Sequence, residues 1–332
     1  MYKKNLLRSA SLAFVLASAL GITGCTSDPV AVSDEAFADS LAKELIAACP
    51  MTGLGDASAR EACADNLTKL DSLRDAMNEP FFWGSQKPGT SYDYAQSQRT
   101  DFNPLVWRRM YLSTYMFTGE YRVEKTADFT VLHVEHRFRN ELDLGDYPYP
   151  FWHEKGKWDS YQKSVELLLF IKNGKILGGL RSEEQDAARP VVDHTWDGNW
   201  HWMDAGGEAE PYVTLYSFLF SAGNPHVSKL DDAYRALEEE MRAHQCQTCH
   251  SPDNSMKMNP LELFNYPNQA LSARYDLITE LEDNTMPPPN SMGLPVGIMD
   301  TAQRDKLKAL AETFAKAADD ALSYEGETSV RR

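Results

Sequence analysis

The sequence predicts an α+β fold built in three stretches. Between residues 34 and 77 apolar residues recur at helical spacing. Between 121 and 181 the pattern turns to strand alternation, with an Asn-Gly turn at its centre. From about residue 226 amphipathic helices return. The expected division is 1–24 as an export signal, 25–33 as a tether, 34–225 as a helical hairpin plus antiparallel sheet, 226–323 as an all-α domain, and 324–332 as a polar tail. A composition of 42% hydrophobic and 25% charged residues in 332 is ordinary for globular domains.

The first 24 residues carry Lys3, Lys4 and Arg8 ahead of a short apolar run, Leu12 to Leu20. That run is shorter than the roughly 20 residues a membrane-spanning helix needs, and a basic start with a short apolar core reads as an export signal. Ile22-Thr23-Gly24-Cys25 resembles the bacterial lipobox, which implies cleavage before Cys25 and lipid attached to it. The resemblance implies a chain anchored to the membrane by lipid and facing the periplasm. Thr26 and Ser27 stand where inner-membrane lipoproteins often carry Asp, which favours the outer membrane. Removing the signal's three bases takes the net charge from −16 to −19. Such a surface repels phosphate backbones, so nucleic acid is excluded as a partner and a basic protein surface is favoured.

Five cysteines are present: Cys25, Cys49, Cys63, Cys246 and Cys249. One is assigned to lipid and two lie in Cys246-Gln247-Thr248-Cys249-His250. In an exported chain the remaining two, Cys49 and Cys63, are expected to pair, closing a loop worth about 3 kcal/mol. Two separate buried thiols are the alternative.

Phe37, Leu41 and Leu45 mark a first helix, and Ser58 to Glu61 has the form of a capping box opening a second, with Leu67, Leu70, Leu73 and Met77 on its stripe. Tyr121 to Lys125 and Thr130 to Phe138 read as strands. His133 and His136 then fall on opposite faces, one buried and one at the surface, rather than forming a metal pair. Asn173-Gly174 supplies the two positive-φ positions of a tight turn, so residues 163–181 form a hairpin. Leu230, Ala233, Tyr234, Leu237 and Met241 form a helical stripe leading to Cys246. Asn268 to Asp283 reads as one helix. Asp300 caps a last one, with Leu307, Leu310, Phe314 and Ala317 inward.

Cys-x-x-Cys-His is the attachment pattern of c-type haem. Two thiols one helical turn apart reach both vinyl groups, and the adjacent His reaches the iron. Zinc would need about four ligands, and the usual second cysteine pair is missing. A redox dithiol would be expected in a βαβ setting that the flanks do not show.

With that motif, residues 226–323 resemble a class I c-type cytochrome domain: an amphipathic helix, the attachment sequence, a middle helix, Asn284-Thr285-Met286-Pro287-Pro288-Pro289, and a final helix. The resemblance implies one covalently attached haem c on Cys246 and Cys249. His250 and Met286 would be its axial iron ligands, and single-electron transfer its activity. A neutral thioether favours the reduced iron. Family members usually have a Gly where the first and last helices cross. Residues 229–245 have none, and Ala233 or Ala236 stands in its place.

Two further stretches could carry function. Asp193 to Trp202 holds two His, two Asp and three Trp, and with His153 could form a second site or simply cap a core. Tyr147 to Trp152 could be an aromatic docking patch or a loop packed on the sheet. No phosphate loop, dinucleotide fingerprint or Gly-x-Ser-x-Gly is present. The leading expectation is an electron carrier serving a redox protein partner. The alternatives are an oxidoreductase whose middle region acts on a substrate and passes electrons to the haem, and a docking module for a membrane complex.

Overall fold

The computed structural model describes residues 32–85, 98–143, 146–147, 155–182, 185, 192, 216, 218–246, 249–250, 267–286 and 300–327. Met1–Val32 and Ser33–Arg332 are separate units. Cys25 and the rest of the lipobox lie outside the described residues, and every described helix and strand belongs to the second unit.

Ser33 caps α1 (Asp34–Ala48) by accepting the Ala36 N–H at 3.2 Å. Asp56 caps α2 (Ala57–Lys69) through Ala59 at 2.8 Å. The cap therefore falls two residues before the expected Ser58. A short α3 (Asp71–Ala76) leads into β1 (Met77–Ser85), and β2 is Gln98–Phe102. Asn103 accepts from Leu105 and Val106 to start α4 (Pro104–Val106), which runs on as a π turn over Trp107–Tyr111 and a 3-10 turn over Leu112–Thr114. Then come β3 (Tyr115–Lys125), β4 (Thr130–Phe138), α5 (Lys155–Lys163), β5 (Glu166–Lys172) and β6 (Lys175–Arg181). Four helices close the chain: α6 (Val227–Ala243), α7 (Pro267–Ser272), α8 (Arg274–Glu282) and α9 (Thr301–Tyr324). Residues 268–283 are thus two helices broken at Ala273, not one.

The strands form one six-stranded sheet in the order β2-β1-β6-β5-β4-β3. Asn173 and Gly174 take φ values of 53° and 70°, so the chain reverses in two residues and β5 pairs with β6. The sheet is not purely antiparallel: β1 runs parallel to β6, with Phe82 beside Gly178 and Trp83 beside Gly179. A Cβ on Gly179 would stand 3.1 Å from the Trp83 ring and from Leu169, so the strand stays bare where the indole crosses it.

One core joins the sheet and the last four helices. Trp107, Leu132, Leu167 and Leu169 belong to the same buried cluster as Tyr234, Leu237, Phe314 and Ala318. On α9 the inward residues Leu307, Ala311, Phe314, Ala318 and Ala321 recur at helical spacing and meet α6, where the Tyr234 and Phe314 rings lie 5.6 Å apart. The expected antiparallel-sheet domain followed by a separate all-α cytochrome-like domain is therefore corrected. The second unit is a mixed α/β fold, because apolar faces on both sides of residue 226 are buried against one another.

Both histidines of β4 are buried, a second correction. The His136 ring lies 4.2 Å from that of Tyr115. His133 lies under Arg122, Glu124 and Glu166, whose longer side chains shield it: Arg122 Nη2 is 2.8 Å from Nδ1, and the carboxylates are 3.3 and 3.4 Å away. His133, followed by Arg122, holds the Glu166 carboxyl below its ordinary value of 4.5. A carboxylate more acidic in the folded than in the unfolded chain stabilises fully above the unfolded value. Its contribution is lost as pH falls through the lower folded one. Glu166→Gln is therefore expected to leave acid stability less pH-dependent below about pH 4.5, as read from urea midpoints at stepped pH. An unchanged slope would count against the network.

Candidate functional site

The apolar stripe of α6 ends at Met241. His244 N–H then bonds the Met241 carbonyl at 3.1 Å and Gln245 N–H bonds that of Arg242 at 2.9 Å. Gln245 turns left-handed at φ 61°, which stops the helix immediately before Cys246. Cys249 and His250 both donate their N–H to the Cys246 carbonyl, at 3.1 and 3.0 Å. Cys246, Cys249 and His250 are thus gathered on one turn.

Neither Cys246 nor Cys249 is bonded to another cysteine, and both are half-buried. Cys246 packs against the main core, and burial pushes its thiol up to about 11. It is a protonated thiol at neutral pH, the reverse of the acidic thiolate of a redox dithiol. Among the described residues no group of three His, Cys, Asp or Glu is placed to hold a metal ion.

Along its length α6 faces α7 and α8 across a narrow crevice. Tyr234, Leu237 and Met241 line one wall, and Ala270, Ala273 and Leu277 the other. Glu238, 3% exposed, reaches the same crevice and accepts from the Arg242 guanidinium. At the helix end the His244 Nε2 lies 3.1 Å from Glu240, which also pairs with Lys306 of α9. The Lys306 ammonium, more than His244, keeps the Glu240 carboxyl below its usual range.

Met286 lies on a different element, the turn after α8. Asn284 is left-handed at φ 58°, and Thr285 and Met286 donate their N–H to the Glu280 carbonyl at 3.0 and 3.4 Å. The Met286 carbonyl accepts from Arg304 Nη1 at 2.7 Å, and its side chain is 37% exposed. Cys49 and Cys63 are joined as a disulfide between the end of α1 and α2, with Cα atoms 4.8 Å apart.

Asp193 to Trp202, His153 and residues 148–152 lie outside the described residues. Tyr147 does not: it is buried, its hydroxyl donates to the Arg139 carbonyl at 2.6 Å and it accepts the Leu142 N–H at 2.7 Å. It is a core residue, not part of an exposed patch. Reading the sequence also missed a set of buried arginines. Arg60, Arg108, Arg109 and Arg139 are at most 2% exposed. Nothing in their local pattern marks them, because the acids that pair with Arg108 and Arg109 are distant in the chain. Comparison with family models, with curated proteins and with solved structures gave no match, so these residues alone carry the functional argument.

Proposed function

We propose that this chain is a c-type cytochrome: a lipid-anchored, periplasm-facing protein that binds one haem covalently and transfers single electrons. The observation that carries the reading is the turn holding two unbonded thiols and an imidazole, Cys246, Cys249 and His250, at the end of an amphipathic helix. The donor set fits the group. Thiols three residues apart form thioethers to the vinyl positions, and an imidazole is an iron donor. When bound, haem supplies a one-electron iron couple.

The chain's own residues do the rest. Cys246 and Cys249 fix the group to the end of α6. His250 would supply an imidazole nitrogen to the iron and Met286 a thioether. A neutral sulfur donor raises the potential relative to stronger donors. The net charge of −19 once the signal is removed favours docking to a redox partner with a basic face, by steering that weakens with salt.

The test is to produce the mature protein in a host that matures c-type haem and to record oxidised and reduced spectra. Sharp low-spin bands on reduction and a weak far-red sulfur–iron band on oxidation are expected. Replacing Cys246 and Cys249 together with serine is expected to abolish covalent haem. Unaltered covalent haem in that double variant would refute the attachment. A high-spin spectrum that shifts with carbon monoxide would replace electron transfer with chemistry at an open iron.

A further inference from the structure

Met286 is 37% exposed, and its backbone is held on both sides. On the amide side the Glu280 carbonyl takes both Thr285 and Met286, the latter at a long 3.4 Å. On the carbonyl side Arg304 Nη1 donates at 2.7 Å, the shorter contact of the two to Met286 and the one that comes from another element. Arg304 is itself firmly placed. It lies in the first turn of α9, where Asp300 and Gln303 form a reciprocal capping box, Arg304 N–H bonds the Asp300 carbonyl at 3.0 Å, and Leu307 is buried three residues on.

Among the described residues no carboxylate pairs with the Arg304 guanidinium, in a chain with 49 acids. Its charge instead meets a carbonyl just past the C-terminus of α8, where the helix dipole favours a cation. Taking Met286 as the second iron ligand, we propose that Arg304 is its positioning residue. By holding the Met286 carbonyl, it fixes the point from which the thioether is presented.

The holoprotein is compared with Arg304→Ala and Arg304→Lys, both keeping the attachment cysteines. A charged donor at an exposed contact is commonly worth a factor of a few, about 0.5–1 kcal/mol at most. This contact is exposed, so Arg304→Ala is expected to raise the fraction of iron lacking sulfur ligation about threefold. The readouts are the far-red band of the oxidised form and carbon monoxide uptake by the reduced form. Covalent haem content should stay unchanged, and Arg304→Lys should restore part of the band. Lower thermal stability with both readouts unaltered would overturn the proposal, leaving Arg304 merely structural. A wild-type holoprotein that lacks the far-red band would instead remove Met286 as ligand, and this inference with it.

Discussion

Replacing Glu327 with alanine is expected to cost about 3–5 kcal/mol of unfolding free energy, because it leaves a buried guanidinium without its counter-charge. Arg108 sits in the π turn after α4 with its side chain fully buried, and Glu327, 11% exposed, is its carboxylate partner just beyond α9. Arg108 Nε and Nη1 have no hydrogen-bond partner, so burial disfavours the charged form and the pair already carries a desolvation cost. The double variant Arg108→Met with Glu327→Leu should therefore recover most of the loss, since an apolar pair removes that cost. Urea unfolding of the three proteins decides the matter. A single Glu327→Ala variant within about 1 kcal/mol of wild type would show the pair to behave like an exposed one.

Serine at Cys49 and Cys63 together should cost about 3 kcal/mol, the loop-closure term for a bridge over a sequence separation of 14. The two sulfurs are at the limit of burial, 0% and 1% exposed, so the serine hydroxyls add a desolvation cost. On the proposed cytochrome reading, the haem spectrum of this variant should match that of wild type. That separates it from the serine variant at Cys246 and Cys249, whose expected phenotype is loss of the chromophore. A urea midpoint unmoved by losing the bridge would mean that helix packing alone holds α1 against α2.

The parts of this fold that reading alone could reach are those specified by neighbours in the chain. Asn173-Gly174 closes its hairpin through two adjacent backbone conformations, and Asp300 with Gln303 caps α9 within one turn. The Cys246-to-His250 turn is local in the same way. The parallel pairing of β1 with β6 was not legible, since Phe82 and Gly178 are neighbours in the sheet but far apart in the chain, and Pro80 and Gly84 blur β1 as a strand. Nor was the shared core. The stripes of α6 and α9 announce a buried face without naming what buries it. His133 looked half-exposed because alternation gives the face of a side chain but not the reach of Arg122 and Glu166 above it. Arg304 escaped for a related reason: its partner is a carbonyl, and a carbonyl leaves no mark in a sequence.

The Arg108–Glu327 contact spans 219 positions of chain, so the π turn depends on a residue beyond α9 for its counter-charge. Without the end of α9, the π turn can bury Trp107 and Leu112 only by stranding a cation. Contacts this remote are paid in loop entropy before they reward the chain, which slows folding and lengthens exposure of half-made surfaces. A contact that closes late in the sequence thus locks a turn laid down early, and until it closes the half-made surface is open to proteases and in need of holding chaperones.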